Sequence, residues 1–223
     1  MQSFRGVALA SALLLCGCGS GTTEVVNESE GFPLDYGSMQ DFKISFPIKI
    51  LKNSEGIDLD TTMQVHLETL SSDMCRGVDG CSFVKRQTVH IDEAGNFLTG
   101  SFAGSDYVLT LYFRSDGSSI RSIDSDGVTC LTLKSTGVRG QVGSTFQTDE
   151  ESCSDGSNLT GVVKVFRYNS ELAEVTAEVN GGQYRSTTLV DRQGNLKGMA
   201  ISVMELGVTA QGSSYNVQNP TIN

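Results

Sequence analysis

The chain has 223 residues, of which 26 are acidic and 16 are lysine or arginine, and its formal net charge at pH 7 is −10. Because basic side chains supply most of the nonspecific affinity for phosphate backbones, a chain this acidic is not expected to bind nucleic acid. No nucleotide or other cofactor is expected either, since no glycine-rich phosphate loop precedes a predicted helix.

The first residues have the features of an export signal. Arg5 supplies a positive charge, and an uncharged stretch of mostly Ala, Val and Leu follows at residues 6–15. A stretch of about ten residues suits a signal segment, whereas a membrane-spanning helix needs about twenty. Residues 1–17 are therefore predicted to be a targeting peptide that is not part of the fold.

The end of this stretch resembles the lipobox of bacterial lipoproteins, in which a small residue precedes the cysteine that is lipidated. Leu15, Cys16, Gly17 and Cys18 match that pattern, with Gly17 in the small-residue position. Cys16 is the alternative, but it would put bulky Leu15 in that position, and an ordinary secretory signal is a second alternative. The resemblance implies acyl chains on Cys18 that anchor the mature chain in a membrane. With Gly19 and not an acidic residue next, it also implies the outer membrane of a bacterial envelope.

The residues after the lipobox differ in composition from the rest of the chain. Residues 19–38 are rich in Gly, Ser, Thr and Glu, and such segments bury too little apolar surface to fold. We therefore expect residues 18–38 to be a flexible tether that starts at lipidated Cys18. A single β domain is expected over residues 39–223.

The rest of the chain consists of short β-patterned runs separated by Gly, Asp and Asn. Turn signals at about eight to twelve residues apart are typical of an all-β domain, here an antiparallel β-sandwich or barrel with mostly hairpin connections. The predicted strands are 42–51, 61–70, 82–92, 96–103, 106–114, 118–123, 128–134, 158–168, 183–191 and 195–205.

Three of these regions carry further expectations. Pro47 lies inside the first predicted strand and cannot donate to a ladder, which predicts an edge position for that strand. The run YVLTLYF at residues 107–113 is apolar on both faces, which predicts a central strand. Residues 172–179 fit a helical stripe and also alternate as a strand, and the β context favours the strand.

Outside the leader the sequence has four cysteines, an even number, and the export signal implies an oxidising compartment. Three pairings are possible, and we expect Cys75 to pair with Cys81 and Cys130 with Cys153. A structural zinc site is the alternative, but these spacings lack the close cysteine pairs of such sites.

The first predicted disulfide leads to a hypothesis about the two histidines. If Cys75 and Cys81 face each other across a hairpin, then facing residues have numbers that sum to 156, and His66 faces His90. Two imidazoles side by side could bind a transition metal. The alternative is that both are ordinary solvent-facing strand residues.

Two acidic regions resemble functional sites only superficially. Asp116, Asp124 and Asp126 lie among glycines, but the twelfth position of a calcium loop would fall on Leu133, so two Asp-Gly hairpin turns are the better interpretation. The acidic residues at 149–151 are interpreted as a solvated loop.

The sequence offers few catalytic signatures. It has no G-x-S-x-G elbow, and the lack of Trp deprives a sugar-cleaving site of its best stacking surface. We therefore expect a membrane-anchored envelope lipoprotein that acts as a non-catalytic binding or structural module and meets an envelope protein or a glycan. An envelope hydrolase with a loop-built site, or a metal-binding module that uses His66 and His90, are the alternatives.

Overall fold

The computed structural model describes residues 17–18, 31–52, 56–92, 106–134, 138–148, 150–205 and 208–218. In these residues the secondary structure is nearly all β-strand, with two short 3-10 helices at Ser72–Cys75 and Asn180–Gly182. The prediction of an all-β, antiparallel, hairpin-connected fold is confirmed. Over the same residues, no helix has the length and apolar character needed to cross a membrane.

The strands fall into one large sheet and one small pair. Fifteen strands form the antiparallel sheet in the order β1-β10-β13-β14-β15-β16-β17-β3-β4-β5-β6-β7-β8-β11-β12, and β2 pairs with β9. The strands are β1 (Gly17–Cys18), β2 (Phe32–Pro33), β3 (Phe42–Lys52), β4 (Ile57–Thr69), β5 (Phe83–Ile91), β6 (Tyr107–Phe113), β7 (Ser119–Asp124), β8 (Thr129–Lys134), β9 (Arg139–Gly140), β10 (Thr145–Thr148), β11 (Glu150–Cys153), β12 (Asn158–Leu159), β13 (Gly161–Arg167), β14 (Leu172–Val179), β15 (Tyr184–Asp191), β16 (Leu196–Glu205) and β17 (Val208–Ser213).

The large sheet consists of two meanders that meet at one long-range pair. Strands β3 to β8 follow one another along the chain, and so do β13 to β17. The last strand of the second meander, β17, pairs with the first strand of the other, β3, through contacts such as Ala210 opposite Ile50. This pairing places β17, the last described strand, at the middle of the sheet.

One face of the sheet forms a single core. Ile48 and Ile50 of β3 are buried, as is Leu111 of β6. Val163 of β13 and Val175 of β14 belong to the same cluster. Because strands far apart in the order share one core, the sheet curves around it. Each of these aliphatic side chains contributes about 1.5–3 kcal/mol through burial.

Residues 31–39 pack into this core, which corrects the predicted boundary of the tether. Phe32, Leu34, Tyr36 and Met39 are all buried within the cluster. The amide of Leu34 also donates to the carbonyl of Val138 at 2.9 Å. The prediction was wrong because Gly, Ser, Thr and Glu dominate the composition of residues 19–38. Phe32, Leu34 and Tyr36, at alternate positions, nevertheless supply enough apolar surface to pack against the core. The folded part therefore begins before residue 39.

The expected edge position of the first predicted strand is wrong. Strand β3 pairs with β4 on one side and with β17 on the other. The ladder with β17 ends at Ile48, opposite Gly212, so Pro47 lies one residue beyond it. A proline that lacks an amide hydrogen is tolerated there because the ladder has already ended.

Most other predicted strands correspond to observed ones. Residues 172–179 form a strand, paired along its length with β13 and β15, and the run at 107–113 lies between β5 and β7. The predicted strand at 158–168 is two strands, β12 and β13. The predicted strand at 96–103 lies outside the described residues. Strands β1, β2, β9, β10, β11 and β17 were not predicted.

Candidate functional site

A groove of about 420 Å³ lies on the face of the sheet opposite the core. Its floor is a row of four directly paired residues, Arg185 of β15, Ser202 of β16, Gln211 of β17 and Lys49 of β3. Residues that face each other in adjacent antiparallel strands present their side chains on the same face. The row therefore projects four polar side chains into one groove.

Strand alternation explains why these side chains are available. The neighbours of Ser202 in β16, Ile201 and Val203, are both buried in the core, and so are Ile48 and Ile50 on either side of Lys49. Since successive residues of a strand point to opposite faces, the residues between these apolar ones point away from the core.

The last described residues cross this face and form one wall of the groove. We call residues 213–218 the C-terminal strap. The amide of Ser214 donates to the carbonyl of Met199 at 2.9 Å, and the amide of Met199 donates to Ser214 Oγ at 2.8 Å. Val217 lines the groove. These bonds attach the start of the strap to β16.

The strap continues from β16 to β14. The ring of Tyr215 rests on Gly198, where an added Cβ would lie 2.5 Å from Tyr215 Cδ1. The Gln218 amide donates to Oε1 of Glu174, a fully buried residue of β14, at 2.9 Å. Burial, and then the adjacent Glu174 carboxylate, raise the pKa of Tyr215 well above its ordinary value. The phenol of Tyr215, which belongs to the strap, therefore stays neutral beside Glu174.

The Arg185 end of the groove carries an excess of positive charge. Glu178 of β14 forms ion pairs with Arg185 and with Lys164, the latter at 3.1 Å. Burial alone would raise the pKa of Glu178, but the hydrogen bonds from Lys164 and Arg185 outweigh it and hold that pKa below its ordinary value. Two cations thus share one ionised carboxylate.

The opposite end has no such excess. Lys49 Nζ lies 2.9 Å from Asp58 Oδ1. The hydrogen bond with Asp58, and after it the charges of Asp58 and Asp60, raise the pKa of Lys49. Since two carboxylates face one ammonium group, this end is neutral to negative.

One hydroxyl of the groove belongs to a buried pair. Thr187 lines the groove, and its Oγ1 lies 3.0 Å from Oγ1 of Thr176. Both threonines are buried. Thr187 therefore presents a hydroxyl whose position is fixed by its neighbour.

The predicted register of the two histidines is wrong by two residues. His90 faces Gln64 and His66 faces Thr88, so facing residues sum to 154. The disulfide between Cys75 and Cys81 lies within the connection between β4 and β5, which includes the 3-10 helix Ser72–Cys75. Because it joins two residues of a loop and not two facing strand residues, its numbers do not set the register.

His90 is instead held between two carboxylates. Its Nδ1 lies 2.7 Å from Asp106 Oδ1, and its Nε2 lies 3.1 Å from Asp92 Oδ1. The carboxylates occupy opposite ring nitrogens, so they do not converge on one ion with the imidazole. Across the part of the chain that the structure describes, no group of three or more His, Cys, Asp or Glu side chains could hold a metal ion.

The remaining predicted site residues have structural surroundings. Both disulfides are present as predicted, Cys75–Cys81 and Cys130–Cys153, and the second joins facing residues of β8 and β11. The amides of Asp126 and Val128 donate to Asp124, and Ser118 donates to Asp116, as expected for hairpin turns. Glu151 is buried in β11, so the solvated loop expected at 149–151 is a strand at that position.

The residue predicted to be lipidated, Cys18, lies at the edge of the sheet. Gly17–Cys18 forms a two-residue strand beside β10, with Gly17 opposite Thr148. Lipidation of Cys18 stays a prediction from the lipobox resemblance. Compared with known proteins, the chain matches no family model, no curated protein and no solved structure.

Sequence reasoning missed every residue of the groove. Lys49 and Ser202 lie in predicted strands, where alternation indicates that they face away from the core, but Gln211 lies in β17, which was not predicted. What brings them together is the pairing of β17 with β3, which joins residues about 160 positions apart. No local signal in the sequence specifies that pairing.

Proposed function

We propose that the chain is a membrane-anchored envelope lipoprotein that acts as a non-catalytic binding module, with its ligand in the groove on β3, β15, β16 and β17. One observation carries this proposal, namely the row of Arg185, Ser202, Gln211 and Lys49 beside the C-terminal strap. Hydroxyl, amide and cationic groups that converge on a concave surface are what a polar ligand needs for orientation.

The strands that form the floor of the groove hold its polar side chains in place, which suits ligand binding. Its floor is built on strands that are paired on both sides, so the positions of its polar groups are set before any ligand arrives. A general acid needs a raised pKa to hold its proton near neutral pH. Glu178 has a lowered pKa and is held by two cations, which suits an electrostatic role and not proton transfer.

The groove favours a glycan over an extended peptide. Peptides commonly bind by adding a strand to a free sheet edge, whereas the strand segments that form the floor of this groove are paired on both sides. The groove offers side-chain donors and acceptors in its place, such as Ser202, Gln211 and Ser213. Such groups match the hydroxyls of a saccharide.

The anchor is supported separately. Leu15, Cys16, Gly17 and Cys18 resemble a lipobox, and two disulfides are typical of a protein folded in an oxidising compartment. Acyl chains on Cys18 would hold the module at the membrane, in our proposal the outer membrane of a bacterial envelope.

The binding proposal is tested with envelope oligosaccharides printed on an array and probed with the full-length chain in a sugar-free detergent. Saccharides that bind are expected to lose affinity by about tenfold with Gln211→Leu, since an exposed hydrogen-bonding group of the floor is removed. Thr209→Val is the matched control, because Thr209 lies on the same strand and face as Gln211 but does not line the groove.

Two results would contradict the proposal. One is an array on which no saccharide binds, and the other is binding that Gln211→Leu leaves unchanged. Bound saccharides recovered intact by mass spectrometry are expected, whereas shortened ones would favour the hydrolase alternative.

A further inference from the structure

We propose that the groove selects glycans that carry a carboxylate, as in a uronate residue, and that the carboxylate binds at the Arg185 end. This inference rests on the proposed function, because it names the class of ligand for the same groove. Three observations support it. They are the charge around Glu178, the hydrogen-bond donors left on Arg185, and the positions of the groove hydroxyls.

The first step is the local charge. Lys164 and Arg185 both pair with Glu178, so the three residues together carry one positive charge. This excess stands out in a chain whose formal net charge is −10. A single excess charge is balanced by one carboxylate, while a doubly charged phosphate would leave the site negative.

The second step is the hydrogen-bonding capacity of Arg185. Its side chain is only 13% exposed and lines the groove, and of its three nitrogen atoms Nη2 donates to Glu178. Among the described residues, the Nε of Arg185 has no acceptor within hydrogen-bonding distance, but that atom is buried, so the donors left for a ligand are on the Nη atoms. A guanidinium has five N–H donors in a fixed planar fork, which matches the two oxygens of a carboxylate. Arg185 therefore has donors left for a second carboxylate besides Glu178.

The third step is what lies beyond Arg185. Thr187 and Ser202 are the adjacent groove residues, followed by Gln211, and Lys49 at the far end is already balanced by Asp58. A ligand that fills the groove thus meets a cation at one end and neutral hydrogen-bonding groups along its length. A uronate-bearing glycan has this arrangement, with one carboxylate followed by hydroxyls.

Isothermal titration of the full-length chain in a sugar-free detergent provides the test. Cellobiouronate and cellobiose are a matched pair of probes, since they differ only in a carboxylate in place of a hydroxymethyl group. The corresponding galacturonate pair covers the other common stereochemistry. The acidic member of at least one pair is expected to bind about tenfold more tightly than the neutral member, because a charge-assisted contact to Arg185 is added.

Amino-acid substitutions test whether Arg185 is the residue that causes the preference for the acidic probe. Arg185→Gln is expected to reduce the affinity for the acidic probe about tenfold and to remove the difference between the pair. Lys164→Gln keeps Arg185 and Glu178 paired but removes the excess charge, and a smaller loss, about threefold, is expected. Because Lys164 is partly exposed, this variant remains informative if Arg185→Gln fails to fold. Thr209→Val is again the control and is expected to bind both probes like the parent chain.

The outcomes separate this inference from the proposed function. Equal affinity for acidic and neutral probes, with both weakened by Gln211→Leu, would overturn the carboxylate preference and leave the binding module standing. Tighter binding of a hydroxyl-free peptide carboxylate, such as acetyl-dialanine, would also overturn the preference for glycans. If no probe of either pair binds, this inference fails, and the glycan array decides whether the proposed function fails with it.

Discussion

In the turn between β15 and β16, the stabilising contacts are made between residues close together in the sequence. Asp191 accepts hydrogen bonds from the amides of Gln193 and Asn195 in the turn between β15 and β16, and Gly194 has a φ of 88°. An aspartate that bonds to amides two and four residues on, together with a left-handed glycine, is a local arrangement. The predicted strands at 183–191 and 195–205 meet at this turn, as expected from such local signals.

Gly194 also has a contact that the sequence does not reveal. An added Cβ there would lie 2.5 Å from the backbone oxygen of Ser38, and the Gly194 carbonyl accepts from the amide of Gln40 at 2.9 Å. The glycine thus lets the turn lie against the segment at 31–40, which fills the open side of the sheet. This close approach depends on a contact between residues far apart in the chain.

We predict that Gly194→Ala destabilises the fold more than Gly156→Ala. Both glycines have a left-handed φ, so both variants lose about 1–2 kcal/mol to backbone strain. Gly156 has open space around it, whereas Gly194 must also push back the Ser38 backbone, at a further cost of about 1–3 kcal/mol. Urea unfolding of both variants measures the difference. Equal midpoints would show that residues 38–40 do not lie against this turn.

The strands that were predicted correctly are mostly those with a clear hydrophobic pattern between turn residues. The strands from β3 to β8 and from β13 to β16 follow hydrophobic alternation between Asp and Gly turns, which is local information. The short strands β10 and β11 have little alternation and lie beside the longer strands β13 and β8, whereas β9 pairs with the two-residue strand β2. The register of β4 with β5 was wrong because it was derived from a disulfide that closes the loop and does not join facing residues.

The two disulfides are expected to differ in their contribution to stability. The bond between Cys130 and Cys153 closes 23 residues and the bond between Cys75 and Cys81 closes 6. The chain-entropy model gives about 3.4 kcal/mol for the longer loop and about 2.2 kcal/mol for the shorter one. Removing both cysteines of the longer loop should therefore lower the free energy of unfolding more than removing both of the shorter one.

Urea denaturation of the two double-alanine variants checks this order. The shorter loop serves as the matched control, since each variant loses one disulfide bond and its two sulfur atoms. A larger loss for the Cys75 and Cys81 variant would mean that the loop between β4 and β5 contributes more than its length allows.

At the scale of the whole molecule, the features that matter for function come from contacts between distant parts of the chain. The pairing of β17 with β3 and the C-terminal strap create the groove, while residues 31–39 complete the core on the other face. Loop closure over such separations carries no local sequence signal. The fold class was therefore predictable from the sequence, and the candidate site was not.

The attachment of the domain to a membrane is also a property of the whole molecule. A strongly acidic β domain is repelled by anionic lipid headgroups, so attachment in our proposal depends on acyl chains and not on surface charge. With two or more acyl chains, the attachment is effectively lasting. Because Cys18 lies in β1, acyl chains on it would hold that edge of the sheet next to the bilayer.

Mass spectrometry of the mature chain from the membrane fraction of producing bacteria tests the anchored-module proposal most directly. We predict an N-terminal peptide that begins at Cys18 and carries a thioether-linked diacylglycerol, and we expect Cys18→Ser to abolish both the modification and the cleavage. A mature chain that begins at another residue, or that carries no lipid and stays in the aqueous fraction, would contradict the proposal.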